Sequence, residues 1–364
     1  MKQNSPLNES EPEESWLIVA GSDAVLFLNR LGTLPSVDSF DVRNSLWIVM
    51  GTSMSDEKKL QDPWLVAVWP GMGHVALAAG YYLLAKLEMS MLAEFSSREL
   101  FDIENVEVKG GLIVPGQMPR SRLFVRKDPE KRHDLLLFIG ESQPPLGKLA
   151  FCQRLIEYAR QAGVERVFTF AAMATQMHPM HESRVFGVTT QERGLNVLQQ
   201  LELTLLEDGH IGGLNGILLG VAGEMGLEGT GLLGEMPHIF AQTSFPKASL
   251  AVLRVFTTIA GIDLDFTELE QQAEAMDEHL GRLLTQLEKR LAASSASSET
   301  DEEISFTPEV PEVEPRNEEE FKRIEQLFEQ AAQDRSRAYE LKNELDRLGV
   351  FKDYEDRFLD LFRE

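Results

Sequence analysis

Two hydrophobic periods run through the middle of the chain. Leu65-Val66-Ala67-Val68-Trp69 is an unbroken apolar run, the pattern of a strand buried on both faces. Asp134–Ile139 and Arg166–Ala171 repeat it, and Thr230–Leu233 is a further candidate. Between these runs the spacing changes to that of a helix: Leu149, Cys152, Leu155, Ile156 and Ala159 share one face, as do Leu214, Ile217, Leu218 and Val221. Strand and helix in alternation predict an α/β class. The expected architecture is a three-layer α/β/α sandwich around a mostly parallel sheet. Trp64–Ala85 carries no ionisable group except His74, a length that spans a bilayer. Pro70, Gly71 and Gly73 divide it, so a strand, a turn and a helix explain it better.

From residue 263 one long helix is predicted. Asp265 and Glu268 have capping-box spacing, and Leu269, Ala273, Met276, Leu280, Leu283 and Leu287 form a heptad seam. Such a seam docks on its own domain or pairs as a coiled coil. Residues 292–316 are Ser-rich and then acidic, with Pro308, Pro311 and Pro315, and read as a disordered linker. Residues 317–364 read as a helical hairpin. Phe321, Ile324, Phe328, Leu341 and Leu345 lie on its apolar side, and Gly349 marks the break between helices. That stripe needs cover, from a partner protein or from its own domain. Residues 1–61 lack clear periodicity apart from WLIVA and SLWIVM and are expected to be poorly ordered. Met54, just before the domain, would serve as an alternative start, with residues 1–53 an over-long gene model. The expected divisions are therefore 1–61, 62–291, 292–316 and 317–364.

Charge narrows the partners. With 59 acidic against 35 basic side chains, the formal charge is −24, which disfavours nucleic acid and anionic membranes. Cys152 is the only cysteine, so the chain forms no internal disulfide and no cysteine-based zinc site. Together with an N-terminus lacking a secretory pattern, this predicts a cytoplasmic protein.

Candidate chemistry is sparse. Gly71-Met72-Gly73-His74-Val75-Ala76 follows a strand and opens a helix, with Glu94 about 20 residues on, as in a dinucleotide-binding turn. A tight strand-to-helix turn favours glycine without any nucleotide, and Pro70 is foreign to such a loop. Glu141, Ser142 and Gln143 follow a strand end, where open α/β sheets collect ligands; Asn215 and Glu235 are candidates to join them. Equally, all are cap and turn residue types. The second glycine cluster, 208–216, continues at Gly220 with a spacing of four that suits close helix packing. His178 and His181 are close, but two histidines alone rarely hold a metal. No nucleophile elbow is present.

The order of these pieces resembles the proteasome assembly chaperone 2 family over residues 62–290. The segments that carry the resemblance are Trp69-Pro70-Gly71-Met72-Gly73, Glu94-Phe95, Gly140-Glu141-Ser142-Gln143 and Ala162–Val167. Gly212–Gly216, Leu232–Pro237 and the 263–290 helix complete the series. The resemblance implies a phosphorylase-like α/β/α sandwich that binds protein clients without ATP, forms homo-oligomers and uses no cofactor. Proteasome-like subunits are the implied clients. Some relatives end in a hydrophobic–Tyr–any-residue tail; here the last residues are Leu361-Phe362-Arg363-Glu364. The competing function is a nucleoside- or nucleotide-binding enzyme built on the 71–76 turn.

Overall fold

The computed structural model describes residues 48–51, 60–95, 100–101, 106–114, 118–130, 132–296 and 318–363. Most of the segment expected to be a poorly ordered extension (1–61), including Met54, and the linker beyond Ala296 lie outside the described residues.

The apolar run at Trp64–Val68 (β2) forms a central strand, as does Leu135–Gly140 (β7). Period two decides which residue faces which layer. Leu65, Ala67, Trp69, Leu136 and Phe138 enter one core, and Val66, Val68, Leu135, Leu137 and Ile139 enter the other. Thr230–Leu233 lies inside a longer strand, Glu228–Pro237 (β11), which pairs in parallel with Arg166–Thr175 (β8) from Arg166↔Glu228 to Thr175↔Pro237. The remaining strands of this sheet are Ile48–Gly51 (β1), Ser90–Phe95 (β3), Ser121–Arg126 (β6), Val185–Thr189 (β9) and Thr204–Leu205 (β10). A separate hairpin joins Glu107–Lys109 (β4) to Leu112–Val114 (β5). The main sheet runs β1-β3-β6-β7-β2-β8-β11-β9-β10. Its four central strands, β7-β2-β8-β11, are parallel, and antiparallel pairings flank them on both sides.

Helices cover both faces. Lys148–Gln161 (α2) and Gly213–Glu224 (α4) pack together on one. Val75–Lys86 (α1), Pro246–Ala260 (α5) and Thr267–Ala296 (α6) occupy the other, and Glu192–Gln200 (α3) adds Leu198 to that core. The heptad seam of α6 docks in cis at its start: Leu269, Ala273 and Leu280 are buried, whereas Leu283 is exposed. Its N-terminal cap departs from a capping box. Asp265 accepts from the Thr267 backbone N–H (3.0 Å), while Glu268 turns away to pair with Lys86 at 2.7 Å.

The tail folds as Glu318–Gln333 (α7), Ala338–Arg347 (α8) and Phe351–Asp360 (α9). Its apolar stripe is covered by its own chain rather than left for another protein. Ile324, Phe328, Leu341 and Leu345 are buried in one cluster with α1, and Phe321 stays exposed. The physical reason lies on α1, whose Tyr81 and Tyr82 offer an aromatic surface to Phe351, Phe358 and Tyr339.

Candidate functional site

The chain leaves β2 toward α1 on one face and leaves the neighbouring β7 toward α2 on the other. In open α/β sheets that reversal opens a crevice at the carboxyl ends of the strands. Here it contains a cleft of about 940 Å³. Pro70, Glu141 and Ser142 form its sheet edge, α1 and α6 contribute Leu77, Tyr81, Gln272 and Met276, and the tail closes it with Lys342, Asp346, Lys352 and Glu355.

Two N–H groups of the glycine turn are engaged within the fold. The Gly73 N–H donates to the Ala241 carbonyl (2.8 Å), the His74 N–H to Gly71 (3.1 Å), and the Gly73 carbonyl accepts from Phe245 (3.0 Å). Gly73 itself is required twice over. Its φ is +61°, and a Cβ there would lie 2.7 Å from the Met236 sulfur. Gly71 faces open space. Gln143 closes the crevice: its amide nitrogen donates to the Pro70 carbonyl (2.9 Å) and its oxygen accepts from the Leu214 N–H (3.2 Å). One side chain thus ties the β2 turn to the start of α4. Gly216 in α4 permits close approach, since a Cβ there would meet the Ile211 carbonyl at 2.1 Å.

The other sequence candidates separate. Glu94 lies on β3 and pairs with Arg363 at 2.9 Å, with Arg120 and Arg122 at 3.9 Å. Glu235 is 3% exposed and held by Nε and Nη2 of Arg184 (2.8 and 2.7 Å) and by the Thr175 hydroxyl (2.8 Å). The Arg184 hydrogen bonds keep its carboxyl below the usual range despite burial. Asn215 is buried; its carbonyl accepts from Thr169, and its side-chain oxygen has no partner among the described residues. Thus Gln143 and the 71–73 turn meet, while Glu94 and Glu235 serve separate ion pairs. The His178 and His181 rings lie 5.5 Å apart, and no group of described residues has the makings of a metal site.

The arrangement also reveals residues that the sequence did not single out. Arg122, inside the β6 run, is 0% exposed and bridges Glu141 (2.5 Å) to Asp356 of α9 (2.5 Å). Burial opposes its charge, but Asp356 and Glu141 outweigh that and raise its pKa. Burial pushes the Glu141 carboxyl up; the Arg120 N–H pulls it back only in part, and Glu355 adds to the rise. The Tyr81 hydroxyl donates to Glu355, whose other oxygen pairs with Lys352 at 2.5 Å. The available signal was an arginine within the apolar strand pattern Ser121-Arg122-Leu123-Phe124-Val125. Its tail partner is distant in sequence, so spacing could not reveal it.

These features define an α/β/α domain with a switch-point cleft, its crevice closed by the chain's own side chains. The chain matches the PAC2 family over residues 65–284, and it belongs to that family. An uncharacterized protein of Methanocaldococcus jannaschii is 22% identical over 261 residues, covering 71% of this chain and 97% of its own length. PbaB of Pyrococcus furiosus, an archaeal proteasome activator, is similar in fold, with TM-score 0.55 and 24% identity over 65% of this chain and 97% of its own. A Mycobacterium tuberculosis proteasome-assembly chaperone homologue gives 0.53 and 19%, over 60% of this chain and 94% of its own. No described helix is long and apolar enough to cross a membrane.

Proposed function

We propose that this protein is a protein-binding assembly chaperone or scaffold of the proteasome-assembly type. It works in the cytoplasm as a homo-oligomer, without ATP, on clients that resemble proteasome subunits. Family membership supports the reading. The observation that supports it against the enzyme alternative is Gln143, whose amide spans the crevice and is engaged by backbone on both sides, at the Pro70 carbonyl and the Leu214 N–H. The ligand-binding candidate Glu235 is already paired with Arg184. Native mass spectrometry of the protein gently purified from its own source tests the proposal. A homo-oligomer carrying stoichiometric protein partners is expected. A stoichiometric nucleoside or nucleotide with no protein partner would transfer the function to the enzyme reading, which the 940 Å³ cleft favours.

A further inference from the structure

The surface between tail and domain mixes anchors with charge. Phe358 packs edge-on to Tyr81 (5.9 Å), and Phe362 to Phe124 (6.2 Å). The Met91 N–H donates to the Phe362 carbonyl at 2.8 Å, which seats the end of the tail on β3. Buried among these groups are Arg122, Lys342 and Glu355. Arg120 approaches the same Asp356 carboxylate as Arg122, at 3.5 Å. Contacts between separable modules are more polar than permanent ones, because each side must remain soluble alone. The seat itself, formed by α1, β3 and β6, lies inside the range matched by the family. The tail lies outside that range, so it is an addition laid over a surface of the shared domain.

We propose that this seat is a docking surface for an acidic amphipathic helix of a protein partner, and that the tail occupies it in cis as a built-in competitor. The inference rests on the protein-binding reading above and names the partner chemistry. The seated helix is the template: aromatic anchors at the spacing of Phe351, Phe358 and Phe362, with a carboxylate at the place of Asp356. The preference for an acid follows from two guanidinium groups, Arg120 and Arg122, that converge on that carboxylate. A tethered segment competes at an effective concentration on the order of millimolar. Any helix arriving in trans therefore binds with an affinity reduced by the fraction of seats already closed.

A fluorescent synthetic peptide of residues 337–363 is the probe, and the full chain is the receptor. Gln272→Cys with Asn343→Cys replaces two side chains that hydrogen-bond between α6 and α8, so a short bis-maleimide pins the tail in place. Cys152 is buried with its thiol pushed up to about 12 and stays out of the reaction. The uncross-linked protein is expected to bind the peptide at least tenfold more tightly than the cross-linked form. Asp356→Lys, shown to be folded by circular dichroism, is expected to bind it at least tenfold more tightly than the parent. Equal binding with and without the cross-link places the peptide elsewhere and overturns the inference. So does an Asp356→Lys chain that binds no better than the parent, and so does a covalent dimer, which puts the tail on a second copy. Because the peptide reads the seat alone, these failures leave the chaperone reading intact as long as protein partners still co-purify.

Discussion

Removing the Phe358 ring tests whether the tail is a separable unit. The side chain is fully buried and touches Tyr81, Phe351 and Phe362, with ring centroids 5.9, 5.5 and 5.7 Å away. Truncating such a ring to alanine costs about 3–5 kcal/mol. At about 1.4 kcal/mol per decade, that multiplies the population of undocked tail by roughly 10² to several times 10³. Hydrogen exchange followed by mass spectrometry should show α9 losing protection by that factor in Phe358→Ala. Global stability behaves differently. Once the tail is off, further damage to it no longer matters, so the loss read from urea unfolding must saturate at the docking free energy. Leu341→Ala, at another buried position in α8, alone costs about 2–5 kcal/mol. The double variant is therefore expected to be scarcely less stable than the worse single one. If the two losses instead add to roughly 5–10 kcal/mol, the tail unfolds with the core and the reasoning is refuted.

Gly73→Ala should destabilise by at least about 1–2 kcal/mol in urea unfolding, from the left-handed backbone alone, and more if Met236 cannot move. Glu235→Gln should cost about 1 kcal/mol at pH 7, since Arg184 is largely exposed, and leave co-purification of protein partners unchanged. Because the Glu235 carboxyl is held down, its contribution is present above the usual carboxylate range and lost as pH falls, so variant and parent should converge in acid. Asp128 gives a second acid limb: burial would raise it, but the Arg132 N–H and guanidinium with the Glu130 N–H bring it from 3.8 down to about 2. Its stabilisation should fade as pH falls below 4 toward 2, and Asp128→Asn should flatten that limb of a stability-against-pH curve. Nucleosides, ATP and NAD at millimolar concentration should leave the melting temperature unchanged; a dose-dependent rise would restore the nucleotide reading.

The central strands were legible because strands buried on both faces spell continuous apolar runs, as in Leu65–Trp69 and Asp134–Ile139. The flanking strands β6 and β9 were not. β6 carries Arg122 and Arg126 within six residues, a pattern that suggests a surface turn until the partners of Arg122 are known. Helix α5 was hidden for another reason: its buried face includes Lys247, Ser249 and Thr257, polar types that interrupt an apolar stripe. At the site, sequence located Gln143 and the glycine turn but not what they do. A dinucleotide loop and a packed strand-to-helix turn need the same small residues. They differ in where the N–H groups point, and that depends on Ala241 and Phe245, far along the chain. The tail stripe was equally readable, whereas the choice between self and partner depended on aromatic rings on α1 and the Arg122 bridge.

What chemistry the domain can support follows from where its buried carboxylates end. Glu228 is held by Arg166, Glu235 by Arg184, and Asp277 by Lys247, each in an ion pair between separate segments. Protonating a carboxylate fixed this way costs the pair, which works against a role as a proton donor. Glu141 differs among the described residues. It lines the cleft and its carboxyl is raised, the environment that favours proton transfer. Its two oxygens are nonetheless engaged, by Arg122 at 2.5 Å and by the Arg120 N–H at 2.8 Å. The same pairing sets Arg122 at the geometry that Asp356 meets. Glu141 is therefore better explained as the domain's half of the tail seat than as a catalytic acid. A raised carboxyl beneath a docked helix needs no substrate to account for it.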